Sequence, residues 1–207
     1  MLRRIPVLLL LLLLAACSQA EPPLLPESNI SIGIVPFTQP TGTTDLMAGY
    51  ISETTPRIDA RIFPLLDNDF ADLLTSMTER SYTGLDKARQ CMQKNPKNLN
   101  AVAFDYWVSI GKCMNVDILI VPQVLHWQER VGAELGAEKP ASIAIDFFLL
   151  NVQNGELIAR SRYDEKQRPL LENLMDINKF IERKGRWVSA ATLAQEGMYK
   201  AIKEFGL

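Results

Sequence analysis

Residues 141–163, ASIAIDFFLLNVQNGELIARSRY, narrow the folds open to this chain more than any other stretch. Two strand-like runs flank Asn154-Gly155, a dipeptide suited to a type I′ turn, so an antiparallel hairpin is expected. Two further strands are expected upstream. NISIGIVPF, residues 29–37, is β-branched and ended by Pro36, and DILIV, residues 117–121, is the continuous apolar run of a strand covered on both faces. Pro122 removes a ladder donor, so that strand should be bulged or unpaired on one side there.

Helices are expected between these strands and after them. Leu66, Phe70, Leu73, Leu74 and Met77 recur at helical spacing, with Asp67 and Asp69 placed in the first turn, where they favour the dipole. The preceding stretch, to about residue 63, reads mostly as loop. A short polar helix is expected over 85–94, and Ala103, Trp107, Ile110 and Met114 mark one face of the next. Near the C-terminus, one helix should run from about Leu171 to Lys184 and stop at Gly185. The last should start at Ser189 as N-cap and bury Ala194, Met198, Ala201, Ile202 and Phe205. The fold class is therefore α/β (α+β): a mixed sheet of about four strands with a C-terminal β-hairpin and packed helices.

The first thirty residues concern location. Arg3 and Arg4 precede a short apolar run and the small residues Ala15 and Ala16, the order of a secretory signal peptide. A transmembrane helix needs about 20 apolar residues, and this run is shorter. Leu14-Ala15-Ala16-Cys17 resembles the lipobox of bacterial lipoproteins. The resemblance implies cleavage before Cys17, a diacylglycerol thioether on its sulfur and acylation of the new amino terminus. With Ser18 rather than aspartate next, it also implies an outer-membrane anchor facing the periplasm. Pro22, Pro23 and Pro26 make the following segment an extended spacer, at roughly 3 Å per residue. The expected organisation is signal peptide 1–16, acylated cysteine and tether 17–29, and one periplasmic α/β domain over 30–207.

The charge balance excludes a class of partner. Lys and Arg number 22 against 24 Asp and Glu, without the basic excess of a nucleic-acid binder. Apart from Cys17, the cysteines are Cys91 and Cys113, an even pair in an oxidising compartment. A bridge between them would close a loop worth roughly 3 kcal/mol. Two buried thiols that never meet is the alternative, and sequence does not separate the two.

Candidate chemistry is sparse. His126 is the only histidine, and no Gly-x-Ser-x-Gly elbow supports a triad around it. DNDFAD, residues 67–72, clusters carboxylates, but an EF-hand loop needs glycine and glutamate where Asp72 and Thr78 stand. GAELG, residues 132–136, lacks the remainder of a phosphate-binding loop and reads as a flexible strand connection. Lys179, Arg183, Lys184 and Arg186 read as cations at a helix C-terminus, with an anion-seeking patch as the weaker alternative. Residues 162–174, RYDEKQRPLLENL, could form a partner-contact surface or a solvated loop. No catalytic, metal-ligating or cofactor-binding residue is assigned.

Ile32–Phe37, Val116–Val121 and Ile143–Glu156 together resemble the recurring elements of a group of periplasmic α/β domains. The group includes the curli secretion lipoprotein CsgG, the amino-terminal domain of TolB and the penicillin-binding-protein activator LpoB. The resemblance implies a non-enzymatic role: docking, assembling or activating an envelope complex, with a protein partner and with the membrane held through acyl chains. The connections here, such as residues 128–140, are short and charged, which argues against pore-forming hairpins. The rival expectation is a small-ligand or lipid carrier, which would require a sizeable apolar pocket. An envelope hydrolase would require converging polar groups with shifted pKa values.

Overall fold

The computed structural model describes residues 29–49, 51, 55–98, 101–133, 136–167, 183 and 186–207. In chain order these form β1 (Ile32–Ile34), a 3-10 turn (Thr43–Asp45), α1 (Ile62–Met77), β2 (Tyr82–Thr83), α2 (Leu85–Lys94) and α3 (Ala103–Met114). There follow β3 (Ile118–Gln128), β4 (Val131–Ala133), β5 (Gly136–Lys139), β6 (Ser142–Asn151), β7 (Glu156–Lys166) and α4 (Ala190–Phe205).

The main sheet has five strands in the order β2-β1-β3-β6-β7. β1 runs parallel to both β2 and β3, while β3–β6 and β6–β7 are antiparallel. The expected mixed sheet with packed helices is the observed architecture. The additional main-sheet strand is Tyr82–Thr83, two residues with no period to read. The connection containing residues 132–136 is not simply a flexible link, since β4 and β5 pair into a separate two-stranded ribbon.

The sheet alternation sends side chains to two hydrophobic clusters. On one side Ile118, Ile120, Ile143, Ile145, Phe147 and Leu149 meet α1 and α4. On the other Leu119, Val121, Phe148 and Leu150 meet α2 and α3. Burial on both faces explains why β6 is apolar from Ile143 to Leu150 apart from Asp146. All five residues of the expected α4 stripe are buried, and Ser189 caps that helix by accepting from the Thr192 amide at 3.1 Å. On the same side Phe37, Phe70 and Phe147 meet with ring centroids 5.5–5.9 Å apart.

Two local expectations need correction. α1 begins at Ile62, so Asp67 and Asp69 lie beyond its first turn. Pro64 is tolerated there because first-turn amides have no intrahelical acceptor. Asp67 is instead buried; its carboxylate accepts from the Phe37 amide at 2.8 Å and from Arg89 at 2.9 Å, joining α1 to the segment after β1 and to α2. Burial pushes this carboxyl above the usual range, against those two bonds.

The hairpin is present, but its turn is not type I′. Asn151 pairs with Glu156 across a four-residue loop. Gly155 alone in that loop has positive φ, at 70°, whereas type I′ needs positive φ at both central residues. The wider loop lets Val152 fall into the core, 2% exposed. There it presses on Gly111 of α3, where a Cβ would stand 2.5 Å from a Val152 methyl. A glycine is thus required in mid-helix by close approach rather than by conformation.

β3 continues through Pro122 to Gln128, and its register with β6 shifts between Val124 and His126, not at the proline. The Pro122 carbonyl accepts from Thr38 at 3.3 Å, so its nitrogen also faces the β1 side. The sheet is interrupted on that side: β1 ends at Ile34, and pairing resumes only as a single bridge from Thr38 to Gln123. The expected helix at 171–184 lies outside the described residues, as do the signal peptide, Cys17 and the tether.

Asp117 closes the opposite end of the sheet. It accepts from the Ser31 amide at 3.0 Å, the Ser31 hydroxyl at 2.6 Å and Gln153 at 3.0 Å. These bonds, led by the Ser31 hydroxyl, hold its carboxyl below the ordinary 3.8. Their stabilising effect is therefore complete above 3.8 and is lost as pH falls through the lower, folded-state value. Asp117→Asn is expected to lower neutral-pH stability and flatten its acid loss between about pH 5 and pH 2. Urea midpoints across that range check this, and an acid limb as steep as the parent's would contradict it.

Candidate functional site

Helices α2 and α3 cover only part of their side of the sheet. Beyond Val121 and Phe148 the next residues on that face are polar: Gln123 on β3, 2% exposed, and Asp146 on β6, fully buried. A buried polar group is tolerated when it is hydrogen-bonded, and both are.

The Gln123 amide fastens a strap of chain, residues 42–47, across the sheet. Its oxygen accepts from the Met47 amide at 3.1 Å, and its nitrogen donates to the Asp45 carbonyl at 2.7 Å. The Asp45 carboxylate accepts from the Thr41 amide and hydroxyl and pairs with Lys97, which also donates to the Thr44 carbonyl. Burial works to raise the Asp45 carboxyl, but the bonds from Lys97 and Thr41 outweigh it, and it titrates below the usual carboxylate range. Asp146 is bound two-pronged by Arg160, at 2.7 and 3.2 Å, with Arg162 at 3.6 Å. The Arg160 guanidinium also lies 5.6 Å from the Phe148 ring centroid.

Between the strap and the ends of α2 and α3 lies a cleft of about 210 Å³. Its walls include Pro40, Met92, Tyr106 and Trp107 beside Gln123 and the Asp45–Lys97 pair. The Tyr106 and Trp107 rings meet edge to face with centroids 4.9 Å apart. Burial pushes the Tyr106 hydroxyl above its ordinary value. Cys91, next to Met92, is bonded to Cys113 with Cα atoms 5.8 Å apart. This links α2 to α3, the two helices that supply Met92, Tyr106 and Trp107.

The remaining sequence candidates fall elsewhere. His126 lies beyond the β3 register shift, partly buried and opposite Ala144. Among the described residues no group of three or more His, Cys, Asp or Glu could hold a metal ion. Arg183 does not project as a solvated helix-end cation. Its side chain is 10% exposed, with the guanidinium 2.6 Å from Glu196 and 3.4 Å from Glu165, and Tyr163 donates to Glu196 at 2.6 Å. Burial opposes the Arg183 charge, and Glu196 outweighs it, holding the group protonated. Of residues 162–174, the first five extend β7, Gln167 follows them, and the others lie outside the described residues.

Sequence reasoning missed Gln123, Asp45, Lys97, Asp146 and Arg160. A signal was available for two of them. Gln123 within ILIVPQVL and Asp146 within SIAIDFFLLN are single polar residues inside otherwise apolar strands, where each must find a buried partner.

No family model matches the chain, and no curated protein does. Solved structures do. A PelC dodecamer from Paraburkholderia phytofirmans matches at 10% identity and TM-score 0.49, covering 90% of this chain and 93% of that one. The LpoB C-terminal domain from Salmonella enterica matches at 11% identity and TM-score 0.41, covering 69% and 87%. A lipoprotein from Neisseria meningitidis matches at 12% identity and TM-score 0.42, covering 75% and 97%. The chain is similar to these in the course of its backbone. LpoB is thus both a protein the sequence resembles and one of these fold neighbours. At such identities and scores nothing about activity carries over, and the functional reading rests on this chain's own residues.

Proposed function

We propose that this chain is an outer-membrane lipoprotein, held by acyl chains on Cys17, whose periplasmic domain acts as a non-enzymatic docking or accessory factor for an envelope complex. The observation that carries the reading is Leu14-Ala15-Ala16-Cys17, followed by a proline-rich spacer and joined to a domain with a filled interior. Among the described residues, one face of the sheet is packed by α1 and α4, and the other by α2, α3 and the strap fastened to Gln123. A filled interior leaves the outer surface as the place where a partner would be met.

The carrier alternative needs an enclosed apolar space, typically about 300–1,000 Å³ for a ligand. The cleft beside Gln123 holds about 210 Å³. Two wider depressions, beside Asp117 and along β2, have polar groups such as Ser31, Lys112 and Arg80 in their walls and open to solvent. Neither encloses the apolar space that an acyl chain needs.

In-cell cross-linking of the anchored protein, followed by mass spectrometry, tests the proposal. Recovery of one defined envelope assembly is the expected result. Recovery of lipid or another small ligand, with no protein partner, would transfer the assignment to the carrier.

A further inference from the structure

The polar groups around the cleft are largely committed to one another. Asp45 and Lys97 neutralise each other, and both ends of the Gln123 amide are bonded to the strap. Gln39 is equally occupied, donating to the Pro56 carbonyl at 2.8 Å and accepting from the Ile58 amide at 2.9 Å. An ionic ligand would find no unmatched charge to pair with and would have to break an existing pair. The lining that remains, Thr38, Pro40, Met92 and the Tyr106 and Trp107 rings, carries no charge and is apolar apart from the Thr38 and Tyr106 hydroxyls.

Size narrows the occupant further. A closed apolar cavity of about 150 Å³ accepts a benzene ring; this cleft of about 210 Å³ is half open, room for one ring or one branched aliphatic group entering from outside. The walls are also fastened before any ligand arrives. The Cys91–Cys113 bond joins α2 to α3, and Gln123 and Lys97 hold the strap. A preorganised pocket avoids ordering costs on binding, and buried aromatic or aliphatic anchors in such pockets carry much of the energy of protein interfaces.

We propose that this cleft is an anchor pocket for one uncharged aromatic or branched aliphatic side chain of a protein partner. The inference rests on the docking reading and specifies its contact point. Tyr106 and Met92 recognise the anchor by shape, and the closed polar network around them rejects charged residues.

The test titrates the exported, non-acylated Cys17→Ser protein with N-acetyl-tryptophanamide and N-acetyl-leucinamide, using N-acetylglycinamide, N-acetylglutamate and lysinamide as comparisons. Two-dimensional nitrogen–proton NMR should show saturable shifts at the Trp107 indole and the Met92 and Lys97 amides, for the first two probes only, with Kd about 1 mM or tighter. Met92→Trp, which fills the cleft, should abolish those shifts and the in-cell cross-link to the partner while leaving the melting temperature unchanged. If that variant does not fold, Tyr106→Ala should weaken both instead.

Absence of saturable shifts at these residues, or equal binding of charged probes, overturns the pocket. So does a partner cross-link that survives in a folded, filled or weakened variant. If the parent protein binds the probes but captures no protein partner, the docking reading fails, and with it the role of anchor, leaving only a small-molecule pocket. If a partner is captured but no probe binds, docking stands and this contact point is wrong.

Discussion

Exported behind a leader cut by an ordinary signal peptidase, the Cys17→Ser protein should move entirely from the membrane fraction to the soluble periplasm. The expected effect is all-or-none for a physical reason. One acyl chain gives only marginal, reversible membrane binding, with an association constant of about 10⁴ M⁻¹, whereas two or more together hold a protein stably. Removing the Cys17 thiol removes the proposed site of the diacylglycerol group, and with it the modification that would precede amino-terminal acylation. No helix among the described residues is long and apolar enough to cross a membrane, so nothing in those helices replaces the anchor. Fractionation in high salt, which removes proteins held by surface charge alone, is the decisive measurement. Continued membrane retention of the variant there would sink the anchor, and the partner would then have to be sought without assuming membrane proximity.

Breaking the bond between Cys91 and Cys113 should cost about 3 kcal/mol, because it closes a loop of 22 residues in the unfolded chain. In a domain of this size that corresponds to a fall in Tm of about 6–12 °C. The local consequence is wider than the stability loss. Cys91 is 1% exposed on α2, and Cys113 lies on the neighbouring α3. Reduction frees the two helices whose Met92, Tyr106 and Trp107 shape the cleft. The Cys91→Ser/Cys113→Ser protein should therefore unfold at lower urea and bind the uncharged probes more weakly. Urea titrations of the parent, with and without reductant, supply the first comparison. An unchanged midpoint, or alkylation of both thiols in the folded, unreduced protein, would remove the bond from this account.

Local pattern made much of the architecture legible. The span of α2, the buried face of α3 and the N-cap of α4 follow from helix-stop residues, apolar spacing and a serine before a helical run. Each depends on residues a few positions apart. The hairpin was equally visible, but its turn was not. Asn154-Gly155 suits a tight turn in isolation, and the observed loop widens because Val152 finds a core site against Gly111. The reading of Asp67 as a first-turn residue failed in a similar way. Its backbone partner, Phe37, stands 30 positions away, and nothing near DNDFAD announces that bond.

The candidate site shows the same division more sharply. The aromatic residues of the cleft lie on a helix that the sequence predicts, and Trp107 belongs to its expected buried face. The pairing of Gln123 with a strap more than seventy residues earlier, and of Lys97 with Asp45 across 52 positions, cannot be read from any window of sequence. By itself the sequence determined the apolar faces of the helices and strands, and it points to an anchor at Cys17, because hydrophobic periodicity and short motifs are local properties. The tertiary structure alone decided the parallel pairing of β1, the committed polar network and the cleft. These arise where distant segments meet, and burial then forces every polar group that arrives there to find a partner.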